Sequence, residues 1–284
     1  MARARIVLVT GCSTGIGRAL AVALAEAGCT VYASARRPET LADIASKQLR
    51  TLPLDVLETG SVASALDTIR TREGRLDMLV NNAGLSVTAP LVETPLEKLQ
   101  QLLDTNLMGC IAMIQAAFPM LAEHGGGRIV NVGSVVGELP VPFTAAYCAS
   151  KAGLHMLSDV LRMELYPFGI EVCALQPAAV STEIEKRSAE GVEAFAAPSS
   201  RYHRHYPSIR KRFEGQDDVA MSAGTFASRV VPQLLAPRLP RVVAAGGNNS
   251  LLRFLARLPA VLRDRLMRNE YGLHAGATKG WMAD

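Results

Sequence analysis

The sequence predicts an α/β domain, a doubly wound parallel sheet of about seven strands with helices on both faces. Three observations carry that reading. Short β-branched runs alternate with helical tracts along the chain. A glycine-rich turn joins the first strand to the first helix. The 284 residues are 49% hydrophobic and 20% charged, enough for one large soluble core.

The elements follow in order. IVLVT at 6–10 is an apolar run suited to a strand buried on both faces. Thr10-Gly11-x-x-x-Gly15-x-Gly17 comes next, then RALAVALAEAG, an Ala/Leu helix closed by Gly28. TVYASA (30–35) is a second strand and completes a β-α-β unit. TLPLDV (51–56) reads as a short strand, 59–73 as a helix and LDMLVNNAG (76–84) as a strand. A long helical tract covers about 95–123, and RIVNVGS (128–134) is the next strand. Helix 144–165 and strand IEVCALQP (170–177) follow.

After Pro177 the texture changes. Residues 183–216 are polar, basic and broken by Pro and Gly; 217–235 look helical, and RVVAAGG (241–247) supplies a last strand. No repeat and no Pro-, Gly- or Ser-rich linker divides the chain. Residues 1–284 therefore read as one domain, with 183–216 as a substrate lid and 250–284 as a C-terminal extension.

Composition removes several function classes. Cys12, Cys29, Cys110, Cys148 and Cys173 are scattered with no CxxC pair, which argues against a zinc site and a disulfide framework. The five histidines form no ligand cluster, and RYHRHY at 201–206 reads as a polar surface, so no metal is expected. The formal charge of +4 equals the excess of five arginines over one acid within 251–268. That is too local for a nucleic-acid footprint. No apolar run reaches the ~18 residues of a membrane span, and the apolar run before Gly11 is shorter than a signal-peptide core of ~7–15 residues. A cytoplasmic location is expected.

Two constellations carry chemistry. The glycines before the first helix let backbone approach a pyrophosphate, and the helix start supplies amide donors. The end of the second strand lacks the acid that holds ribose hydroxyls. Ala35 occupies that place, followed by Arg36 and Arg37, and a guanidinium there suits a 2′-phosphate. NADP(H) is favoured over NAD, with Arg18 adding positive potential. Farther on, Tyr147 and Lys151 stand four residues apart in a helical segment, on one face. A cation there stabilises the phenolate, which suits an acid/base.

TGCSTGIG, NNAG (81–84), Asn106 in DTNLMG, VNVGS ending at Ser134 and Tyr147-x-x-x-Lys151 occur in this order. Over about residues 5–180 the chain resembles the short-chain dehydrogenase/reductase superfamily. The resemblance implies a Rossmann-type fold and hydride transfer between nicotinamide and a carbonyl or hydroxyl carbon. It makes Tyr147 the acid/base, Lys151 its partner and a ribose ligand, Ser134 the group that orients the substrate oxygen, and Asn106 the anchor of a water leading to Lys151. Gly11, Ser13, Thr14, Gly15, Ile16 and Gly17 would hold the pyrophosphate side. Arg36, Arg37, Asp55, Val56, Asn82, Ala83 and Gly84 would line the adenosine side. QPAAVST (176–182) resembles the family's Pro-Gly-x-Val-x-Thr segment, so Pro177, Val180 and Thr182 would flank the nicotinamide. Ala178 stands where the family has glycine, a departure that bears on the local backbone.

PVPFTAAY (140–147), with Leu85, Val87 and Leu139, gives the site an apolar wall. A hydrophobic ketone or secondary alcohol of lipid, steroid, polyketide or terpenoid type is the expected substrate. A weaker resemblance to acyl-dihydroxyacetone-phosphate reductases, retinol dehydrogenases and 17β-hydroxysteroid dehydrogenases agrees. The resemblance also implies a homodimer or homotetramer. The alternative is an NADP-binding redox-sensing regulator without turnover, which would be marked by loss of the Tyr or Lys that this chain keeps. Lastly, Leu251, Leu252, Phe254, Leu255 and Leu258 make one apolar helical stripe, and Pro259 can open a second helix that continues it through Val261, Leu262 and Leu266. With Arg253, Arg257, Arg263, Arg265 and Arg268 alongside, 250–268 suits either a pocket wall or subunit contact, or a peripheral contact with an anionic membrane.

Overall fold

The computed structural model describes residues 4–183, 188, 192–211 and 219–273. Within them, seven strands form one parallel sheet: β1 (Ile6–Val9), β2 (Thr30–Ala35), β3 (Leu49–Pro53), β4 (Met78–Asn81), β5 (Arg128–Val132), β6 (Glu171–Pro177) and β7 (Val242–Ala245). The spatial order is β3-β2-β1-β4-β5-β6-β7. The helices are α1 (Gly15–Glu26), α2 (Thr59–Glu73), α3 (Leu96–Leu103), α4 (Gly109–Ala122), α5 (Ala145–Glu164), α6 (Tyr206–Lys211), α7 (Ala223–Leu234), α8 (Asn249–Ala256) and α9 (Ala260–Glu270).

Period-two alternation along the strands divides the core into two layers. Val7, Val9, Val31, Ala33, Met78 and Val80 pack with Leu20 and Leu24 of α1 and Phe226 and Val230 of α7. Ile6, Leu8, Tyr32 and Leu79 pack with Val62 and Ile69 of α2 and Met113 and Ala117 of α4. Each large apolar side chain so buried contributes ~1.5–3 kcal/mol, so these two layers dominate the stability of the sheet. The strand order runs outward in opposite directions from the β1–β4 boundary. Loops leaving the C-terminal ends of those strands therefore diverge and open a crevice. The register pairs Val9 with Val80, which sets Thr10 beside the NNAG turn.

Several elements differ from the sequence expectation. The third strand starts two residues before TLPLDV and ends at Pro53, and the fourth stops at Asn81 because Asn82 and Ala83 leave the sheet to bond Thr10. The helical tract expected at 95–123 runs continuously over Leu96–Ala122, with a π turn at Asp104–Met108 between α3 and α4. By length and composition Leu96–Ala122 is apolar enough to cross a membrane, contrary to expectation, yet α4 packs its buried residues on the sheet. Met221–Ser222 pairs with Val180–Ser181, and α7 starts only at Ala223. RYHRHY is not merely a polar surface: Tyr202 and Tyr206 join Phe143, Val192, Ile209 and Tyr271 in a third apolar cluster. The lid assigned to 183–216 falls partly on 184–187, 189–191 and 212–216, outside the described residues.

The C-terminal stripe also divides. Leu252 lines the main cavity, whereas Leu251 and Phe254 are exposed. Neither α8 nor α9 buries any residue, and Pro259 is the N-cap of α9 rather than its first residue.

Candidate active site

Glycine occupies the turn after β1 where a side chain would collide. Gly11 sits at φ +70°, and a Cβ on it would lie 2.7 Å from Ala83 Cα. A Cβ on Gly17 would lie 2.2 Å from Asn82 Nδ2. Asn82 fastens this turn by donating from Nδ2 to the carbonyls of Thr10 (2.9 Å) and Gly11 (3.0 Å). Thr10 Oγ1 accepts the N–H groups of Asn82 and Ala83, each at 3.0 Å. Sequence reasoning gave Thr10 no role; its place between strand and first glycine was the available signal. Thr14 caps α1 without a side-chain hydrogen bond, which leaves first-turn N–H groups facing the cavity that Ser13, Thr14, Gly15 and Ile16 line. A cradle of this form fits a pyrophosphate.

At the end of β2, buried Ala35 gives way to exposed Arg36 and Arg37 on the same cavity wall. Arg18 does not join them. It pairs with Asp43 and donates to Thr40 O at 3.1 Å, and its hydrogen bond holds the Asp43 carboxyl below its usual range. The positive potential at this wall is left to Arg36 and Arg37. Asp55, Val56, Asn82, Ala83 and Gly84 line the same cavity, and Asp55 Oδ1 accepts the Leu57 N–H at 3.1 Å.

Helix α5 brings up the reacting groups. Its apolar residues and its inward polar face come from one sequence, AAYCASKAGLHMLSDVLRME, and the residues it buries are Ser150, Lys151, Leu154 and Ser158. Lys151 Nζ lies 5.7 Å from the centre of the Tyr147 ring and donates to Val132 O at 2.8 Å. Burial pushes the Lys151 ammonium down to about 8, with the Cys110 thiol pulling weakly the other way. Most of its charge survives at neutral pH. Ser134, two residues past β5, lines the cavity with Tyr147 and accepts the Val136 N–H on Oγ at 3.4 Å.

Asn106 stands in the π turn, buried. Its Oδ1 accepts the Leu85 N–H at 2.7 Å, and Nδ2 donates to Leu85 O at 2.9 Å and Ser150 Oγ at 3.0 Å. Its side chain is thus a brace between the NNAG turn and α5. Pro177, Val180 and Thr182 line the cavity as the sequence predicts. Ala178 is accommodated by Gly246, whose own Cβ would lie 3.0 Å from that of Ala178. The missing glycine on one strand end is answered by a glycine on the neighbouring one.

One cavity of about 690 Å³ joins the glycine turn, Arg36, Arg37, Asp55, Ser134, Tyr147, Lys151 and Thr182, with Leu85, Leu139, Val141 and Leu252 as its apolar wall; Gly17 and Asn106 stand behind it and do not line it. Val87 does not line it, and Phe143 turns away into the third cluster at φ +65°.

The family model described as short chain dehydrogenase matches residues 5–193. The chain belongs to the short-chain dehydrogenase family. It is an oxidoreductase of the kind that acts on CH–OH and C=O groups. Among relatives, it is 36% identical to the NADPH-dependent 1-acyldihydroxyacetone phosphate reductase of Schizosaccharomyces pombe, over 81% of this chain and 78% of that one. It is 34% identical to human 17-beta-hydroxysteroid dehydrogenase type 1, over 82% and 75% of the two chains. A short chain dehydrogenase from Burkholderia cenocepacia, solved in complex with NADP, superposes with a TM-score of 0.72 at 25% identity, covering 93% of this chain and 98% of that one.

Proposed function

We propose that this dehydrogenase exchanges a hydride between NADP(H) and a hydrophobic ketone or secondary alcohol, with Tyr147 as general acid/base. The observation that carries the reading is the continuity of the cavity: the glycine cradle and Arg36 at one end, Tyr147 and Ser134 in the middle, Leu139 and Leu252 beyond. When bound, NADP(H) supplies or accepts the hydride at the carbonyl carbon. In reduction, Tyr147 Oη gives its proton to the carbonyl oxygen, and in oxidation it takes the hydroxyl proton. Ser134 Oγ orients that oxygen. The buried Lys151 ammonium favours the phenolate left behind. Asn106 holds the turn behind α5 and, as the resemblance implies, anchors a water leading to Lys151. Relatives named for a lipid phosphate and a steroid support an apolar substrate.

Two surfaces complete the reading. Met156, Val160 and Met163 form an exposed stripe on α5, and Met108 is exposed on the π turn that packs against α5, a face suited to a second copy in a homodimer or homotetramer. On α8 and α9, exposed Phe254, Val261 and Leu262 stand among exposed Arg257, Arg265 and Arg268, which suits an anionic lipid surface. The segment 183–216 serves as the lid, anchored where Thr88 donates to Ser188 O at 3.4 Å.

The test is NADPH oxidation against a panel of steroid, retinoid, acyl-ketone and polyketide carbonyls. Turnover of an apolar class that Tyr147→Phe abolishes supports the proposal. NADPH binding with no turnover across the panel would favour the redox-sensing regulator instead.

A further inference from the structure

Helix α5 places a third side chain on the face that carries Tyr147 and Lys151. His155 follows Lys151 by four residues, as Lys151 follows Tyr147. Its imidazole lies inside the turn that carries Ser134. A Cβ on Gly133 would sit 2.2 Å from His155 Nε2, and one on Gly137 would sit 2.5 Å from its Cε1. The two glycines that bracket Ser134, Val135 and Val136 thus close around one ring. Neither glycine has a positive φ, so conformational freedom does not explain them. The imidazole between them does.

Polar contacts agree. The Ser134 N–H points at His155 Nε2 at 3.4 Å, and the Gln176 amide nitrogen lies 3.4 Å from Nδ1. Each ring nitrogen faces a donor. A neutral imidazole can accept from one of them; an imidazolium accepts from neither and sets N–H against N–H at both. Gln176 is itself held, donating to Glu138 Oε1 at 2.7 Å and accepting from Arg253 of α8 at 3.3 Å.

We propose that His155 is a positioning residue, whose neutral imidazole fixes the Gly133–Gly137 turn and with it the Ser134 hydroxyl. This rests on the role given above to Ser134. The charged groups around the ring are Glu138 of the turn, Lys151 and Asp159 of α5, and Arg253 acting through Gln176. Burial is the largest influence and keeps the imidazole below its usual range; Lys151 adds to that, against the Glu138 and Asp159 carboxylates. The neutral form therefore holds at physiological pH. Acid converts the ring from a clasp into a wedge.

The first test needs no substrate. Titrate the cofactor-free protein by ¹H–¹⁵N NMR from about pH 8 down to about pH 4, a range that extends well below the ordinary histidine midpoint of ~6.5. The Ser134 amide should shift with the His155 midpoint, and the shift should vanish in His155→Gln, whose amide oxygen can still accept but does not titrate. The second test uses turnover. Wild-type kcat/KM should fall on the acid side with the same midpoint, and His155→Gln should lack that limb. His155→Leu should lose roughly ten- to hundredfold at every pH, as misplacement of a reacting group does, while NADPH affinity is kept. His155→Gln should lose only about threefold, since it retains the hydrogen bond. A Ser134 amide indifferent to His155, or an acid limb that survives in His155→Gln, overturns the proposal. If no carbonyl is turned over, the proposed reaction fails, while the amide titration still decides whether His155 holds the turn.

Discussion

Helix α5 and the α8–α9 pair both invert the usual rule of apolar inside and polar outside. Three of the four residues α5 buries are polar, while Met156 and Met163 stand 65% and 66% exposed. The α8–α9 pair buries nothing, with Phe254 at 62% and Val261 at 83% exposure. The inner polar face of α5 is matched atom by atom: Lys151 to Val132 O, Ser150 Oγ to Asn106, Ser158 Oγ to Asn131. Buried polar groups kept at such a cost in desolvation need a chemical reason, and the cavity supplies it. Among the described residues, α8 and α9 are held more sparsely: Leu252 lines the cavity, Arg253 donates to Gln176, Asn249 to Ala244 O, and Glu270 pairs with Lys211. One helix keeps buried polar groups at the cavity; the pair keeps apolar side chains at the surface.

Lys151 offers the sharpest way to break that contrast. Lys151→Met should lower kcat/KM at least a hundredfold, the scale of acid–base catalysis, and at the same time raise stability at pH 7. The sign follows from the lowered ammonium. Between about 8 and the unfolded value near ~10.4, the unfolded chain binds more protons, so wild-type stability rises with pH across that window. The shift corresponds to roughly 3 kcal/mol, offset by about 1 kcal/mol for the lost bond to Val132 O. Urea unfolding should show the variant about 2 kcal/mol more stable at pH 7 and the advantage shrinking above about pH 8. A variant less stable at pH 7 would show that the buried ammonium stabilises the fold.

The two outward faces can be separated next. Met156→Lys with Met163→Lys should weaken self-association at least a hundredfold, because a buried unpaired charge costs several kcal/mol. Sedimentation velocity reads the result, and an unchanged oligomer would remove the stripe from the interface. On the other face, Arg257, Arg265 and Arg268 changed together to Gln should reduce cosedimentation with anionic liposomes by tens-fold, at about 1 kcal/mol per basic residue less screening. Arg253 and Arg263 are poor choices, since they are tied to Gln176 and to Ala256 O. Binding equal on neutral lipid, or unaffected by salt, would leave the face to a second copy. The smallest effect expected is at the cofactor end. Arg36→Ala should cut the preference for NADPH over NADH by about tenfold, one charge-assisted hydrogen bond.

Local signals made much of this legible in the sequence. TVYASA and 59–73 match β2 and α2 residue for residue, because alternation and helical period are properties of the segments themselves. Tyr147, Lys151, Ser134 and the glycines come together as their order implies. What depends on partners distant in sequence was not legible. The π turn at Asn106 is set by Leu85 and Ser150, Arg18 is diverted by Asp43, and Gly246 answers Ala178 across the sheet. His155 was visible in principle, four residues past Lys151, but its meaning needed Gly133 and Gly137 around it. The apolar stripe of 251–258 reads as core by period alone, and only the fold reveals that Leu251 and Phe254 face outward while Leu252, Leu255 and Leu258 are half-buried.

If the inner face of α5 serves proton transfer at Tyr147, Tyr147→Phe removes that transfer and leaves the rest of the face in place. The phenyl ring keeps the packing and removes only the hydroxyl. Stopped-flow measurement of NADPH oxidation, with NADPH affinity read by fluorescence on the same protein, should show binding within about twofold of wild type and turnover lower by about 10²–10⁴-fold. Retention of a tenth or more of the wild-type rate with binding intact would contradict the account.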